Sequence, residues 1–400
     1  MSHAPVRVVH LITRMILGGA QENTLHTCAG LLRHPAWQPV LVTGPPIGPE
    51  GELLSHVREA GIPCRVLPEL RRNLNTWRDA VAFEALVRLL RGLGPTIVHT
   101  HSSKAGILGR VAARVAGVPI VVHTIEGLPF HRYAPAWMNA AFIAAERAVA
   151  PATDRIACVA QAMVRQALDA GVGRPEQYCV IYSGMDVDAY RDAGRHRARV
   201  RSRFGLAEDD IVVAKVARLF PLKGHRFVLQ AAARTVRRFP KLKLLFVGDG
   251  VLRSGLAHQA VDLGIGDRVV FAGLVPPEEI PEIIGATDAV VHASLREGLA
   301  RVLVQALLCE KPVVTFDLDG APEVIVDGET GRLVEAESVD GLSEALAWTL
   351  DNPDRARRMA AEGRRRFADR FRIETMVSET DKLYRALLAE KGLPQPPAGP

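Results

Sequence analysis

The chain alternates short apolar segments with amphipathic segments, and this alternation runs through the sequence twice. Segments such as Val6–Ile12 are rich in β-branched residues, which is typical of strands, and segments such as Gln21–Leu32 repeat their apolar residues at helical spacing. The pattern starts again at Ile211–Ala217 and ends in a nearly all-helical stretch. Strands that alternate with helices form a parallel sheet covered by helices on both faces. The sequence therefore predicts an α/β protein with two doubly wound domains.

A polar, arginine-rich stretch at residues 186–203 separates the two halves. We therefore predict a first domain at residues 1–183 and a second domain at residues 187–372. Domains of about 150 residues are common, so a chain of 400 residues suits two of them. The last residues, 391–400, are rich in proline and are predicted to form a disordered tail.

Composition argues against several classes of protein. No run of about 18 uncharged apolar residues occurs, so no membrane-spanning helix is expected, and the N-terminus has a strand pattern instead of a signal peptide. The five cysteines are widely spaced without a C-x-x-C motif, so we expect neither a disulfide framework nor a zinc site. Aromatic residues make up 5% of the chain and the basic residues are not clustered, which argues against nucleic-acid binding. These features predict a cytoplasmic protein.

The net charge of +6 is concentrated in residues 1–180, and the rest of the chain is neutral. A basic first half can provide a face for an anionic membrane or for a phosphorylated acceptor. An arginine-rich composition spread over solvated surfaces explains the same charge distribution. Both interpretations stay open on the sequence alone.

The loops that follow predicted strands hold the candidate binding residues, because open parallel sheets bind ligands beyond the carboxyl ends of their strands. Gly18 and Gly19 precede a helix, where glycine lets a phosphate approach the backbone closely. A plain tight turn is the alternative. The G-x-G-x-x-G pattern is missing there, which argues against an oxidoreductase that binds a dinucleotide.

Further polar side chains lie at strand ends in the first half. His99 and His101 lie on one predicted strand, and we expect only one of them to face the site because strand residues alternate. Lys104 precedes a helix and is a candidate phosphate ligand, with a solvated loop as the alternative. His123 follows a buried strand, where ligands meet such sheets, with an ordinary core histidine as the alternative.

The second half places two cations, Arg218 and Lys223, on one short loop that follows a strand, which suits two phosphoryl groups. Glu297 ends a later strand-to-helix loop and can accept hydrogen bonds from sugar hydroxyls. Backbone amides at the start of the next helix are predicted to form an anion site. These amides belong to Gly298, Leu299 and Ala300.

Taken together and in this order, these stretches resemble the retaining family 4 glycosyltransferases, which have the GT-B fold. Each match is weak by itself, but their order and spread over most of the chain make the set specific. The matching segments are 18–21, 99–119, 183–186, 218–224, 247–250 and 297–307. They are similar to bacterial enzymes that build surface polysaccharides or lipid-linked oligosaccharides. The resemblance implies two Rossmann-like domains that face a central cleft, with a final helix at 373–390 that packs back on the first domain.

The resemblance also implies a role for each candidate residue. Arg218 and Lys223 match the pair that holds the donor diphosphate, and Gly18–Gly19 match the glycine loop that approaches it. Glu297 matches a glutamate that contacts the donor sugar, and His123 matches a histidine near the reaction centre. Enzymes of this class need no bound metal for catalysis.

One residue departs from the family pattern. Gln305, about two turns into the helix after Glu297, stands where a glutamate normally binds the ribose hydroxyls. Glutamine makes hydrogen bonds without charge assistance, so we expect nucleotide binding to lose about 1–2 kcal/mol. Asp317 and Asp319 are similar to the D-x-D metal motif of another transferase class, although an ordinary loop explains them better.

The resemblance implies a retaining, metal-independent hexosyltransferase. It would move a sugar from a nucleoside diphosphate sugar, with UDP as the expected nucleotide and no further cofactor, to a hydroxyl of a glycan or lipid-linked acceptor in cell-surface polysaccharide synthesis. Gln305 leaves one alternative open, a non-catalytic sugar-nucleotide-binding subunit of a polysaccharide assembly system. Pro129–Ala150 is a candidate for contact with the inner face of the cell membrane, with a buried packing helix as the alternative.

Overall fold

The computed structural model describes residues 4–48 and 51–397. The chain folds into two compact units, of which the first comprises Met1–Met185 with Arg372–Pro400 and the second comprises Asp186–Phe371. Each unit is an open parallel sheet with helices packed on it, as predicted. In the described ranges, no helix is both long enough and apolar enough to cross a bilayer.

The first unit is built on a seven-stranded parallel sheet. Its strands are β1 (Val6–Arg14), β2 (Trp37–Gly44), β3 (Cys64–Val66), β4 (Ile97–His101), β5 (Ile120–Ile125), β6 (Arg155–Cys158) and β7 (Tyr178–Val180). Their order across the sheet is β3-β2-β1-β4-β5-β6-β7. The chain builds outward from β1 to β3 and then returns to β4 on the other side of β1. The loops after β1 and β4 therefore diverge and leave a crevice at the carboxyl edge.

Helices follow the strands and pack on the first sheet through alternate strand residues. The helices are α1 (Gly19–Leu32), α2 (Leu54–Glu59), α3 (Thr76–Leu93), α4 (Ser103–Val115), α5 (Ala136–Val149) and α6 (Gln161–Asp169). Val9 and Leu11 of β1 pack with residues of α3 and α4 in one buried apolar cluster. Val8, the residue before Val9, lies on the opposite face and joins a separate cluster that contains Leu31 of α1. This alternation is the strand period of two that the sequence shows.

The second unit repeats the same topology with six strands. They are β8 (Ile211–Val216), β9 (Leu242–Val247), β10 (Val269–Gly273), β11 (Ala289–His292), β12 (Val313–Phe316) and β13 (Arg332–Val334). Their order is β10-β9-β8-β11-β12-β13, so the winding reverses between β8 and β11. The helices are α7 (Arg197–Arg203), α8 (His225–Thr235), α9 (Arg253–Asp262), α10 (Ile280–Gly285), α11 (Arg301–Leu308), α12 (Val339–Asp351) and α13 (Pro353–Phe367).

The C-terminal helix α14 (Ile373–Glu390) follows the second unit in sequence but belongs to the first. Its Tyr384 is fully buried and joins the apolar cluster of Val8. The indole of Trp37, at the start of β2, donates a hydrogen bond of 2.8 Å to Asp381 Oδ1 of α14. Apolar and polar contacts together thus fix α14 on the first sheet.

Residues 391–397 belong to the segment predicted to be disordered, and they lie against α14. The guanidinium of Arg385 donates hydrogen bonds to the carbonyls of Pro396 and Pro397 at 3.2 and 3.0 Å. The rest of that segment, 398–400, lies outside the described residues.

Candidate active site

Loops at the carboxyl edge of the second sheet are held together by close backbone contacts. Gly224 ends the loop after β8 with a left-handed φ of +69°, and a Cβ there would lie 1.7 Å from the carbonyl oxygen of Ala293, just after β11. Gly248, just after β9, has a φ of +130°, and a Cβ there would lie 2.3 Å from the carbonyl oxygen of Ala217. Only glycine fits at both positions. The loops after β8, β9 and β11 therefore form one interlocked edge.

Lys223 and Glu297, which we predicted as separate binding residues, form an ion pair at this edge. Lys223 Nζ lies 2.6 Å from Glu297 Oε1, and the two side chains are 22% and 23% exposed. His292 Nε2 lies 3.5 Å from the same carboxylate oxygen. Burial by itself raises the pKa of Glu297, but Lys223 and His292 outweigh burial and hold the pKa well below its usual range. Glu297 is therefore a carboxylate at neutral pH.

A second contact fixes the backbone of Glu297. Its amide donates a hydrogen bond of 2.7 Å to Asp319 Oδ2, and the amide of Gly320 donates to the carbonyl of Gly298 at 2.9 Å. Asp319 adopts a left-handed φ of +53°, which is uncommon for a residue that has a side chain. The carboxylate of Asp319 thus orients the loop that carries Glu297.

Arg218 lies at the other end of the loop that carries Lys223 and is exposed. Its guanidinium carbon lies 5.1 Å from the centre of the Phe220 ring, a distance typical of a cation–π contact. The loop after β8 therefore presents one exposed guanidinium and one ion-paired ammonium at the carboxyl edge of the sheet.

The helix that follows Glu297 begins later than we predicted. α11 begins at Arg301 and has Ala300 as its N-cap, so the predicted anion site at 298–300 is a non-helical turn. Gln305 is the fifth residue of α11 and lies one turn into the helix, instead of the two turns that we predicted. The difference arises because the chain between Glu297 and Arg301 is not helical.

In the first unit, His123 is buried in β5, and Gly106 of α4 provides the space for its ring. A Cβ on Gly106 would lie 2.5 Å from His123 Cε1. The hydroxyl of Thr100 lies 2.9 Å from His123 Nδ1. Burial, and after it the charges of Arg110 and His101, hold the pKa of His123 well below its ordinary value. The ring is therefore neutral at neutral pH.

A cavity of about 220 Å³ opens beside His123 within the first unit. Side chains that line it include Ser102, Glu126, Phe130 and Glu146. Glu146 forms a buried ion pair with Arg110, with Nη2 and Oε2 2.6 Å apart. The Gly18–Gly19 turn begins α1, and the next residue, Ala20, also lines the cavity.

Lys104, a candidate phosphate ligand from the sequence, is paired with residues of the first unit. Its Nζ lies 2.5 Å from Asp79 Oδ1 and donates to the carbonyl of Asn73 at 2.6 Å. The ammonium thus ties α4 to the start of α3, and its charge is already compensated.

His99 and His101 share one face of β4, so our prediction that only one of them faces the site is wrong. Residues two apart on a strand point to the same side, and the centres of these two rings lie 4.5 Å apart. His10 of β1 lies beside them, with ring centres 5.1 and 5.4 Å away. Burial lowers the pKa of all three histidines, so all three are neutral at neutral pH.

These histidines belong to a continuous chain of buried hydrogen bonds. It runs from Thr124 through His99, Tyr384, His10 and His101 to Glu126. Successive partners lie 2.6, 2.6, 3.4, 3.1 and 3.3 Å apart. Neutral rings fit one direction of donation, in which each ring accepts at Nε2 and donates from Nδ1, because the last acceptor is a carboxylate. The chain connects Tyr384 of α14 to Glu126 at the cavity.

The ligand nitrogens of His10, His99 and His101 lie within 4.8 Å of one another, a separation that a transition metal can bridge. Each of their ring nitrogens already has a partner in the hydrogen-bond chain. A metal ion would have to displace these partners, so the hydrogen-bond chain is the better account of the cluster.

Three buried residues near the Lys223–Glu297 pair were missed in the sequence: Lys215, His225 and His292. Lys215 had a signal, because it interrupts an otherwise apolar strand. His225 and His292 had none, since nothing local shows that the start of α8 and the end of β11 converge on Glu297.

Comparison with known proteins gives the family. The family model "Glycosyl transferases group 1" matches residues 196–366, and the model "Glycosyl transferase 4-like domain" matches residues 18–184. The chain therefore belongs to the family 4 type of glycosyltransferases, and its two Rossmann-like units are those of the GT-B fold.

Particular relatives cover most of the chain. It is 26% identical to a UDP-Gal:alpha-D-GlcNAc-diphosphoundecaprenol alpha-1,3-galactosyltransferase of Escherichia coli, over 98% of this chain and 99% of the relative. It is 30% identical to a D-inositol 3-phosphate glycosyltransferase of Acidothermus cellulolyticus, over 74% of this chain and 68% of the relative. The crystal structure of Anabaena Alr3699/HepE in complex with UDP and glucose superposes with a TM-score of 0.81 at 22% identity, over 95% of this chain and 99% of that one.

The close contact at Gly224 can be tested by comparing an alanine substitution there with the same substitution at Gly205. Gly224 and Gly205 both have left-handed backbones, with φ of +69° and +66°, but a Cβ on Gly205 would meet nothing within 4 Å. We expect Gly205→Ala to lower the free energy of unfolding by about 1 kcal/mol through backbone strain alone. Gly224→Ala adds a clash with Ala293 and should cost clearly more. Urea unfolding of both variants measures the difference, and equal losses would contradict the interlocked edge.

Proposed function

We propose that the chain is a retaining glycosyltransferase that moves a sugar from a nucleoside diphosphate sugar to a hydroxyl of a lipid-linked or glycan acceptor in cell-surface polysaccharide synthesis. The observation that carries the proposal is the exposed Arg218 on one loop with Lys223, which is paired to the carboxylate of Glu297. The names of two similar proteins support the substrate classes. One names UDP-Gal and a diphosphoundecaprenol acceptor, and the other is a structure that contains UDP.

The donor diphosphate would bind to the two cations of the loop after β8. A guanidinium offers paired donors to phosphate oxygens, and an ammonium offers a compact point charge. Arg218 is exposed, and Lys223 shares its charge between Glu297 and the phosphate. Binding of the diphosphate therefore weakens the Lys223–Glu297 ion pair. The Glu297 carboxylate can then accept hydrogen bonds from the hydroxyls of the donor sugar.

The chemical step separates charge, and the site stabilises both of the charges that develop. Negative charge develops on the departing diphosphate and positive charge on the anomeric carbon. Arg218 and Lys223 stabilise the diphosphate from fixed positions, and the carboxylate of Glu297 stabilises the sugar. Because these cations supply the neutralising charge, we propose that the transfer requires no metal ion.

We propose that the anomeric configuration is retained by attack from the face that the diphosphate leaves. The acceptor oxygen forms the new bond to the anomeric carbon while the bond to the diphosphate oxygen breaks. That phosphate oxygen takes the acceptor proton, so no side-chain nucleophile is needed. The roles implied for Gly18, Gly19 and His123 stay predictions, as does UDP as the preferred nucleotide in the presence of Gln305.

The Arg218 guanidinium gives the first test of this function. Arg218→Ala removes one fixed charge from the departing diphosphate, so transfer from UDP-sugars should fall by about 10²-fold, as when one transition-state donor is lost from other enzymes. The measurement is the release of UDP in a coupled assay with a panel of donors and polyprenyl diphosphate acceptors.

Arg237→Ala, an exposed arginine of the same unit, is the control and should leave the rate unchanged. Transfer by Arg218→Ala near the wild-type rate would contradict the proposal. Binding of UDP-sugars without release of UDP for any acceptor would favour the non-catalytic subunit instead.

We further propose that the first unit meets the inner face of an anionic cell membrane, where a lipid-linked acceptor resides. Helices α3, α4 and α5 each follow a strand and so begin at the carboxyl edge of the first sheet, and α4 packs against both others. Near the starts of α3 and α5, Leu74, Trp77 and Trp137 are 80%, 81% and 71% exposed. Tryptophan at such positions is typical of membrane interfaces.

The charge and burial around these residues support the same surface. Arg71, Arg72 and Arg132 are exposed close to them in sequence and suit anionic lipid headgroups. In α5 only Glu146 and Val149 are buried. The helix is therefore not a buried packing helix, which was the alternative from the sequence.

Flotation with vesicles tests this membrane surface. The double variant Trp77→Ser with Trp137→Ser should bind vesicles of phosphatidylglycerol and phosphatidylethanolamine at least about tenfold more weakly than the wild type, because each indole contributes apolar burial. Val261→Ser, an exposed apolar residue of the second unit, is the control and should bind as the wild type does. Wild-type binding that is absent, or insensitive to salt, would contradict the proposal.

A further inference from the structure

A fully buried lysine lies on the strand beneath the donor-site loops. Lys215 of β8 has an exposed fraction of 0%, and its Nζ has no hydrogen-bond partner among the residues that the structure describes. Val212 and Ala214 lie in an apolar cluster on one face of the sheet, so Lys215 points to the other face. Its register partner on β9 is Phe246. Burying an unpaired ammonium is costly, so this position calls for an explanation.

The surroundings of Lys215 hold more polar groups without partners. The ring of His225, at the start of α8, packs edge-on against Phe246 with centres 5.1 Å apart. The Nδ1 atom of His292 and the hydroxyl of Ser294 are buried without hydrogen-bond partners in the described part of the chain, while Nε2 of His292 lies 3.5 Å from Glu297 Oε1. Ordinary cores leave few such groups unsatisfied. A cluster of them beside the Lys223–Glu297 pair is typical of a site whose electrostatic balance is completed by a ligand.

Two neighbouring charges act on Lys215, those of Lys223 and Glu297. Lys215 in turn lowers the pKa of the neighbouring His225 and His292. Burial, and after it the charge of Lys223, lower the pKa of Lys215 to about 7, against the opposite effect of Glu297. Burial lowers the pKa of His225 to about 2 and that of His292 to about 4. Near neutral pH both histidines stay neutral, and Lys215 is the member of this cluster that changes its protonation.

We propose that Lys215 is a positioning residue of the donor site, which takes up a proton from solvent when a nucleoside diphosphate binds at Lys223. The inference rests on the proposed function. When the diphosphate engages Lys223, the carboxylate of Glu297 loses part of its counter-charge. Protonated Lys215 then supplies the missing counter-charge to Glu297 from the underlying strand β8. It adds a third positive charge near the diphosphate, after Arg218 and Lys223, without contact to the donor. The bound anion thus raises the affinity of Lys215 for its proton.

The sign of the pH dependence follows from this coupling. Below pH 7, Lys215 is already protonated in the empty site, and the diphosphate meets its full charge. As the pH rises, Lys215 is neutral before binding, and the affinity falls towards that of an enzyme without this charge. If the ligand raises the pKa of Lys215 by one unit, the affinity changes about tenfold across this range.

Isothermal titration calorimetry with UDP tests the proposal. At pH 7.5, in buffers of different ionisation enthalpy, the wild type should take up about half a proton per UDP if the pKa rises by one unit. Lys215→Met should lose this uptake, and Lys243→Met should keep it. Lys243 lies on the neighbouring strand with its Nζ on the carbonyl of Asp267.

The pH dependence separates an electrostatic role from a structural one. At pH 6 the wild type should bind UDP about tenfold more tightly than Lys215→Met, and the difference should vanish by about pH 9. A difference that is constant with pH, or no buffer dependence in the wild type, would overturn the inference while leaving the proposed function intact. If the wild type binds neither UDP nor GDP, both the inference and the proposed function are wrong.

Discussion

The ion pair between Lys223 and Glu297 is the interaction on which the rest of the site depends. It joins loops that are 74 residues apart in sequence, with Nζ and Oε1 2.6 Å apart. Gly224 brings the lysine loop against β11, and Asp319 holds the amide of Glu297. A half-buried ion pair contributes little to stability by itself, because desolvation offsets most of the attraction. Its value here is positional, since it holds a cation and a carboxylate at the carboxyl edge of the sheet, where we propose that the donor diphosphate binds.

The two units share one strand topology but bury different polar side chains at the same place in it. In each, the winding reverses beside the first strand, and buried polar side chains collect at that point. In the first unit, His10 and His99 are neutral and fully hydrogen-bonded through Tyr384 of α14. In the second, Lys215 Nζ has no hydrogen-bond partner among the described residues. The first cluster is therefore a completed hydrogen-bond network, whereas the second contains a buried amine without a hydrogen-bond partner in the described part of the chain.

The sequence predicted the fold well because its signal is periodic and local. Alternating strand and helix patterns determined both sheets, and the position of Lys223 and Glu297 after strands followed from the general rule for parallel sheets. The pairing of these two residues was not predicted, because it depends on a close approach of two distant loops. The error at His99 and His101 was one of strand geometry, since residues two apart share a face. Lys215 was missed because we interpreted the segment of β8 as uniformly apolar, although it contains this one charged residue.

The most direct test of this account is the affinity of Glu297→Gln for UDP. In the proposed function the carboxylate competes with the diphosphate for Lys223, so its removal should tighten the binding of UDP severalfold while transfer of sugar is lost. In a Lys223→Met background, the same change should have a much smaller effect on UDP affinity, so the two substitutions should be non-additive. Weaker UDP binding by Glu297→Gln, or effects that simply add, would contradict the central role of the ion pair.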